Sequence, residues 1–146
     1  MEDLDFKIAP YQSKPYYEFL HIRYEILRKP LGLDYTAEQL ASEQHQVHIV
    51  ALSKFDIVIG GLILVFEEHQ KVKMRQVAIS NEFQSKGVGQ QLVVFAEKYA
   101  KENNATYMHC HARDTAILFY EKLGYHIKGE EFLEVGIPHR YMYKEL

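Results

Sequence analysis

The chain has 146 residues, of which 47% are hydrophobic and 25% charged, and its formal net charge is −3. This length is typical of one hydrophobic core, so we predict a single domain over residues 1–146. The apolar content excludes a disordered chain, and the acidic balance argues against a nucleic-acid-binding surface.

The sequence also argues against a membrane or secreted protein. Its longest apolar run, residues 57–66, is about half of what spans a bilayer, and its first five residues are acidic where a secretory signal is basic. Cys110 is the only cysteine, so no internal disulfide can form. We therefore expect a cytoplasmic location.

The first half of the chain predicts one main helix and several strands. Residues 6–9 are a short strand, and Ser13 then caps a helix with Pro15 in its first turn and Pro30 and Gly32 at its end. A short helix follows at 37–41. The next strands are predicted at residues 46–53, 57–66 and 72–79, joined by short connections that require antiparallel pairing. Gly60-Gly61 within the second of them predicts a bulge or a close backbone approach.

The second half alternates helices and strands. The clearest helix covers 88–103, and a strand at 106–112 precedes a short helix that Asp114 caps and Gly124 ends. Two final strands, 125–133 and 139–143, flank a turn at 136–138. This order predicts an α/β fold, a mixed sheet with helices on both faces.

A glycine-rich turn between the third of these strands and the clearest helix is the most informative segment. A helix N-terminus has unpaired amides and partial positive charge, so it can bind a phosphate, and glycines let the ligand approach. Glycines also serve tight turns and close packing. The segment lacks the Gly-Lys-Ser/Thr ending of a P-loop and has Leu92 where a dinucleotide fingerprint has its third glycine.

Residues 84–89, Gln-Ser-Lys-Gly-Val-Gly, resemble the pyrophosphate signature Gln/Arg-x-x-Gly-x-Gly/Ala of the GNAT acetyltransferase superfamily. Residues 116–125 resemble its second signature, A-x-x-x-Y-x-x-x-G-F/Y. The tail 136–139, together with Arg23-Tyr24-Glu25, is similar to the ElaA-like branch. The resemblance covers nearly the whole chain and implies a central mixed, mostly antiparallel sheet in a GNAT acyl-CoA N-acyltransferase fold.

The resemblance also implies acetyl-coenzyme A as cosubstrate. The backbone of residues 77–79 would pair with its pantetheine arm, where that strand splays from its parallel neighbour, and the glycine-rich turn would hold its pyrophosphate. The implied cofactor-binding residues are Val77, Ala78, Ile79, Gln84, Ser85, Lys86, Gly87, Val88, Gly89, Gln90, Ala116 and Phe119. Arg113 stands where many relatives have Asn, seven residues before Tyr120.

Acetyl transfer to an amine requires a neutral nucleophile, an oxyanion site and a proton for the leaving thiolate. By resemblance, Tyr120 is the general acid, and a backbone amide of Ala78 or Ile79 holds the oxyanion. The alternative for Tyr120 is a buried aromatic on a helix face. His139, His111 and Glu25 are candidate bases, of which we select His139. A histidine bonded within its own turn explains His139 equally well.

Other chemistry is less favoured by the pattern. His109 and His111 share one side of a strand, but no carboxylate or thiolate at suitable spacing completes a metal site with His139, so we predict no metal. Cys110 faces the opposite side and is expected in the core rather than as a nucleophile.

The predicted function is therefore an N-acetyltransferase with a small-molecule amine as acceptor. Acceptor specificity is expected in residues 23–43 and in the final hairpin. A protein lysine or N-terminal acetyltransferase is an alternative, and so is a non-catalytic acetyl-CoA-binding module. Pairing into a homodimer through edge strands is a further expectation by resemblance.

Overall fold

The computed structural model describes residues 4–146, so the first three residues of the acidic N-terminal segment lie outside it. The strands are β1 Asp5–Ile8, β2 Val47–Leu52, β3 Val58–Phe66, β4 Lys71–Ile79, β5 Tyr107–Arg113, β6 His126–Ile127, β7 Phe132–Glu134 and β8 Ile137–Glu145. The α-helices are α1 Lys14–Arg23, α2 Ala37–Ala41, α3 Val88–Glu102 and α4 Ile117–Lys122.

These strands form one open sheet in the order β1-β2-β3-β4-β5-β8-β6, with β7 paired to β8. Strands β4 and β5 are parallel, whereas β1 with β2, β2 with β3, and β8 with each of its partners are antiparallel. The mixed α/β architecture predicted from the sequence is thereby confirmed. None of the helices within residues 4–146 has the length and apolarity needed to cross a membrane.

Contacts group the chain into two compact units, one formed by residues up to Leu64 with Gln76–Ala96 and one by Val65–Arg75 with Glu97–Leu146. Strands β3 and β4 and helix α3 each contribute residues to both. The single-domain organisation expected from the chain length stays a prediction.

Helices cover both sheet faces within the first unit. Phe19 of α1 is fully buried in a cluster that includes Val50 of β2. Phe6 of β1 pairs with Ala51, the next residue of β2, and therefore points to the opposite face because strand side chains alternate. There it stacks on Phe95 of α3, with ring centroids 5.3 Å apart.

The first helix begins as predicted, with the Ser13 hydroxyl accepting from the Tyr16 amide at 3.4 Å, but it does not stay α-helical to its end. Tyr24–Arg28 form a π-helical turn, closed by the Lys29 amide donating to the Tyr24 carbonyl. A 3₁₀ turn follows and ends at Gly32, whose φ is +70°. Apolar spacing near 3.6 residues carries no signal for one added residue in a turn.

The close approach predicted at Gly60-Gly61 is confirmed. A Cβ on Gly60 would lie 2.6 Å from Ile79 Cδ1 and 2.9 Å from the Ala78 carbonyl oxygen. One on Gly61 would lie 2.6 Å from the Ile49 carbonyl oxygen. The ladder of β2 with β3 also shifts register there, opposite Gly60, so this segment has both a bulge and a close approach.

The second unit is built on β5 and β8, which pair antiparallel over seven residues. Gly124 ends α4 with φ +95°, as its position predicted. The strand predicted at 125–133 is instead two short strands, β6 and β7, separated at Gly129, whose φ is +82°. The final turn lies at residues 135–136 rather than 136–138, and β8 begins at Ile137.

The cap predicted at Asp114 differs as well. Asp114 begins a 3₁₀ turn, and its carboxylate accepts from the Thr115 amide at 3.0 Å. Helix α4 starts only after that turn, with Ala116 at its N-cap and no side-chain capping bond among the described residues.

Candidate active site

The glycine-rich loop leads into α3 in the first unit. Ser85 and Gly87 have φ of +62° and +82°, and Val88, the first helical residue, is buried. The Gln91 amide donates to the Gly87 carbonyl at 3.1 Å. The backbone amides before Gln91 lie in the first turn of α3, where no intrahelical carbonyl is available to accept from them. They therefore form the positive end of the helix dipole.

The loop has room for a ligand at its glycine. A Cβ on Gly87 would meet no atom within 4 Å, so the space beside this backbone is open. A pyrophosphate needs both an open approach and unpaired amides at a helix start. The residues present therefore fit the phosphate end of coenzyme A.

Two side chains of the loop, Gln84 and Lys86, differ in their contacts. The Gln84 amide nitrogen donates to the Ile79 carbonyl at 2.9 Å and to Asn81 Oδ1 at 3.2 Å, which ties the loop to the end of β4. Lys86 is exposed, with Nζ 5.7 Å from the centroid of the Phe83 ring. Gln84 thus braces the loop, while Lys86 adds a positive charge at its surface.

The backbone of strand β4 is regular in its first half and irregular further along. Its parallel register with β5 runs from Lys71 opposite Tyr107 to Met74 opposite Cys110. Further along, Gln76 has φ +57°, a left-handed conformation that is uncommon in a non-glycine residue and costs about 1–3 kcal/mol. Ala78 beyond it is buried. The segment 77–79, expected to meet the pantetheine arm, therefore follows directly after a residue in the left-handed conformation.

Tyr120 of α4 is 6% exposed, and its ring packs edge to face against Tyr125. Burial, with a smaller contribution from Cys110, raises the pKa of Tyr120 well above its ordinary value. Within residues 4–146 the Tyr120 hydroxyl has no hydrogen-bond partner. Its oxygen is nevertheless not among the polar side-chain atoms that are both completely buried and unpaired, so this oxygen keeps some accessible surface. Tyr120 thus keeps its proton, and its O–H is available to a ligand.

Two other predicted cofactor-binding residues belong to the same segment as Tyr120. Ala116 ends the 3₁₀ turn before α4, and Phe119 packs edge to face on Tyr120 with centroids 5.0 Å apart. Both are partly exposed.

Cys110 is buried in β5, and burial raises the pKa of its thiol to about 12 even though Lys73 opposes this shift. The nucleophile in thiol chemistry is the thiolate, which this environment suppresses. The core position expected for Cys110 is confirmed.

The final hairpin gathers two histidines around one carboxylate. His111 Nδ1 is 2.8 Å from Glu134 Oε1, and His139 Nε2 is 3.7 Å from Glu134 Oε2. Burial by itself raises the pKa of Glu134, but the His111 hydrogen bond and the charges of His111, His139 and Lys73 outweigh it, so the pKa is lowered. Glu134 is therefore an ionised partner for both rings.

His139 is 3% exposed, and its Nδ1 lies 2.9 Å from the Ile137 carbonyl oxygen. Since a carbonyl only accepts, Nδ1 carries the proton and Nε2 is the basic atom of the neutral ring. This is also the bond within the turn that the sequence left as the alternative explanation.

The remaining polar candidates have other partners. His109 Nε2 lies 2.6 Å from Glu67 Oε1, so His109 and His111 bond to different carboxylates. Glu25 is half exposed, 3.4 Å from Lys29 Nζ. In the described part of the chain, no group of three His, Cys, Asp or Glu residues is arranged to hold a metal ion.

Sequence reasoning missed a buried polar network in the first unit. Arg23 is fully buried and forms a bidentate ion pair with Glu43 at 3.0 and 2.9 Å, and its Nε donates to Gln76 Oε1 at 3.1 Å. The Tyr35 hydroxyl donates to the same oxygen at 2.5 Å. The only sequence signal was the Arg-Tyr-Glu resemblance, which marks Arg23 but neither of its partners.

Comparison with known proteins agrees with this geometry. Residues 25–146 match the model of the family described as acetyltransferase (GNAT) domain. The YyaT protein of Bacillus subtilis is 33% identical over 118 residues, which are 71% of this chain and 80% of that protein. The chain therefore belongs to the GNAT acetyltransferase family, a class of acyltransferases.

Two solved structures illustrate the shared fold. Escherichia coli ElaA superimposes with a TM-score of 0.80 at 18% identity, over 98% of this chain and all of that one. An aminoglycoside 6'-N-acetyltransferase, solved with coenzyme A, superimposes with a TM-score of 0.80 at 13% identity, over 97% and 96% of the two chains. At these identities the likeness concerns the fold alone.

Proposed function

We propose that this protein transfers an acetyl group from acetyl-CoA to the amine of a small molecule by direct attack in a ternary complex. The observation that carries the proposal is the loop before α3, where the open space beside Gly87 meets the unpaired amides of a helix start. The family assignment supports the same class of reaction.

Acetyl-CoA supplies an activated acetyl group as a thioester. In this proposal the amides of the loop hold its pyrophosphate, with Lys86 adding charge, and the backbone of residues 77–79 aligns the rest of the molecule as an added strand would. An amide of Ala78 or Ile79 is the proposed donor to the oxyanion that develops during transfer. Ala116 and Phe119 are proposed to contact the same cosubstrate.

Tyr120 is the proposed general acid. Its hydroxyl is protonated at neutral pH, since burial raises its pKa, and it has no partner among the described residues that would hold the proton elsewhere. A phenol in this state can donate a hydrogen bond or a proton to a departing thiolate.

His139 is the proposed base for the amine proton. Its Nδ1–H is held by the Ile137 carbonyl, which leaves Nε2 as the accepting atom, and the ionised Glu134 stabilises the imidazolium that forms. His111 bonds directly to Glu134 and is the second candidate for this role.

A cleft of about 270 Å³ is lined partly by residues 23–43, the segment expected to select the acceptor, and partly by α1. Its walls carry the carboxylate of Asp34 and the ring of Tyr35, and the remaining lining residues are Tyr17, Leu20, His21, Tyr24 and Leu40. Aromatic rings around one carboxylate suit an amine carried on an apolar or ring-shaped body. We propose this cleft as the acceptor subsite.

Two measurements test the proposal: calorimetric titration with acetyl-CoA, and turnover with a panel of small amines and lysine peptides, with Asp34→Asn as a matched variant. We expect micromolar binding, turnover of small amines, and a raised KM for amines in Asp34→Asn with unchanged acetyl-CoA affinity. Turnover restricted to peptides favours the protein acetyltransferase. Binding without any turnover favours the non-catalytic module, and no binding at all overturns the proposal.

A further inference from the structure

The left-handed residue in β4 is held by side chains from outside the strand. Gln76 has φ +57°, and its Oε1 accepts two hydrogen bonds, from Arg23 Nε at 3.1 Å and from the Tyr35 hydroxyl at 2.5 Å. Arginine can only donate, so the oxygen of the Gln76 amide must face it, which fixes the side-chain orientation. A strained backbone conformation persists where its surroundings determine it in this way.

Arg23 is itself held rigidly. Both of its terminal nitrogens bind Glu43, at 3.0 and 2.9 Å, and Arg23 and Glu43 are 0% and 2% exposed. A bidentate pair leaves the guanidinium one orientation, with Nε aimed at Gln76. Such a buried pair is rarely the most stabilising solution, because two charges must be desolvated, but it fixes the orientation of both side chains.

Tyr35 completes the arrangement. The guanidinium carbons of Arg23 and Arg28 lie 4.6 and 4.5 Å from the centroid of its ring. Cation–π contacts with two arginines hold the ring in place, so the hydroxyl is presented to Gln76 from a fixed position. Tyr35 and Arg23 therefore approach one acceptor atom from two separate segments of the chain.

We infer that Arg23, Tyr35 and Gln76 are positioning residues: they hold the left-handed backbone at Gln76 so that the backbone of residues 77–79 is aimed at the bound thioester. None of the three is proposed to touch the reacting atoms, although the Tyr35 ring also lines the proposed acceptor cleft. The expected effect on turnover rests on the proposed function. The restraint on the backbone follows from the hydrogen bonds alone. A displacement of about 1 Å in such a segment lowers a rate by about 100-fold.

The test compares Tyr35→Phe and Gln76→Met with Tyr11→Phe. Tyr35→Phe keeps the ring between its arginine contacts and removes only the hydroxyl. Tyr11→Phe is the matched control in the same unit, since it removes a part-buried hydroxyl whose bond goes to the Leu40 carbonyl at 3.2 Å. The readouts are amide hydrogen exchange at Val77, Ala78 and Ile79, the Kd of acetyl-CoA, and kcat.

We expect exchange at residues 77–79 to accelerate about tenfold in Tyr35→Phe and at least as much in Gln76→Met, since each loses a bond that restrains the left-handed backbone at residue 76. We expect kcat to fall about tenfold or more, with the Kd of acetyl-CoA changed less than about threefold. The control should change neither exchange in this segment nor kcat.

Unchanged exchange at residues 77–79 in both variants overturns the inference, whatever the turnover. Accelerated exchange with unchanged kcat also overturns it, because the restraint then has no role in positioning. If the wild-type protein turns over no amine, the proposed function fails, and the exchange data still decide whether these side chains hold the backbone at residue 76.

Discussion

Tyr120 and Tyr125 pack edge to face with ring centroids 5.6 Å apart, but their hydroxyls differ in environment. Tyr125 donates to Glu97 Oε2 at 2.7 Å, and Lys144 binds the same carboxylate at 3.1 Å. Within residues 4–146 the Tyr120 hydroxyl has no such partner. The Tyr125 hydroxyl is therefore fixed by a carboxylate, whereas the Tyr120 hydroxyl is not held by any described residue.

The first prediction compares the two tyrosines. Tyr120→Phe should lower kcat about 100-fold, as expected when a general acid is lost, and change the free energy of unfolding by less than about 0.5 kcal/mol. Tyr125→Phe should lower the free energy of unfolding by about 1–3 kcal/mol, because Glu97 loses a buried partner, and leave kcat unchanged. Steady-state kinetics and urea unfolding of both variants measure these effects. Full activity in Tyr120→Phe would remove this residue from the mechanism.

A second prediction concerns the open space at Gly87. Gly87→Glu should abolish measurable acetyl-CoA binding in calorimetry, because its carboxylate would repel the pyrophosphate. Gly129→Glu is a matched control, since both glycines have φ +82° and open space where a Cβ would lie. The strain of a side chain at positive φ is therefore about equal, roughly 1 kcal/mol, in the two variants. Equal binding by both proteins would argue against a pyrophosphate at this loop.

A third prediction concerns the contact beneath the end of β4. Gly60→Ala would place a Cβ 2.9 Å from the Ala78 carbonyl oxygen, so the backbone of β4 must move. Gly61→Ala would instead press on Ile49 and Phe19. Both should lower the free energy of unfolding by about 1–3 kcal/mol, as overpacking does.

Of these two variants, only Gly60→Ala should affect the binding of acetyl-CoA. Displacement of residues 78 and 79 in Gly60→Ala is expected to weaken acetyl-CoA binding, whereas Gly61→Ala should bind normally. Calorimetry of the folded variants decides between them. Equal affinities would show that residues 78 and 79 do not contact acetyl-CoA.

A fourth prediction concerns how the reactivity of the Cys110 thiol depends on pH. With a pKa of about 12, only about one thiol in ten thousand is ionised at pH 8, so alkylation of the native protein should be slow and should accelerate as pH rises toward that value. In denaturant the thiol should react at the ordinary rate. Iodoacetamide labelling followed by mass spectrometry measures both rates. Rapid labelling of the native protein at pH 7 would contradict the buried, protonated thiol.

Local sequence patterns predicted most of the elements. Helix α3 was recognisable because its apolar residues repeat on one face, and the start of α1 because Ser13 and Pro15 provide a cap and a first-turn proline. Errors arose where one residue changed the geometry. The π-turn at Tyr24–Arg28 and the break at Gly129 alter a strand or helix without changing its apolar pattern.

The sequence by itself determined the family and the position of the glycine-rich loop, because a helix start with glycines depends only on residues close together in the chain. The tertiary structure decided which polar side chains meet. Arg23 reaches Gln76 across 53 positions, and Tyr125 reaches Glu97 across 28. Such pairs depend on which strands become neighbours, and desolvation after folding, rather than the identity of the residue, sets the proton affinity of Tyr120 and Cys110.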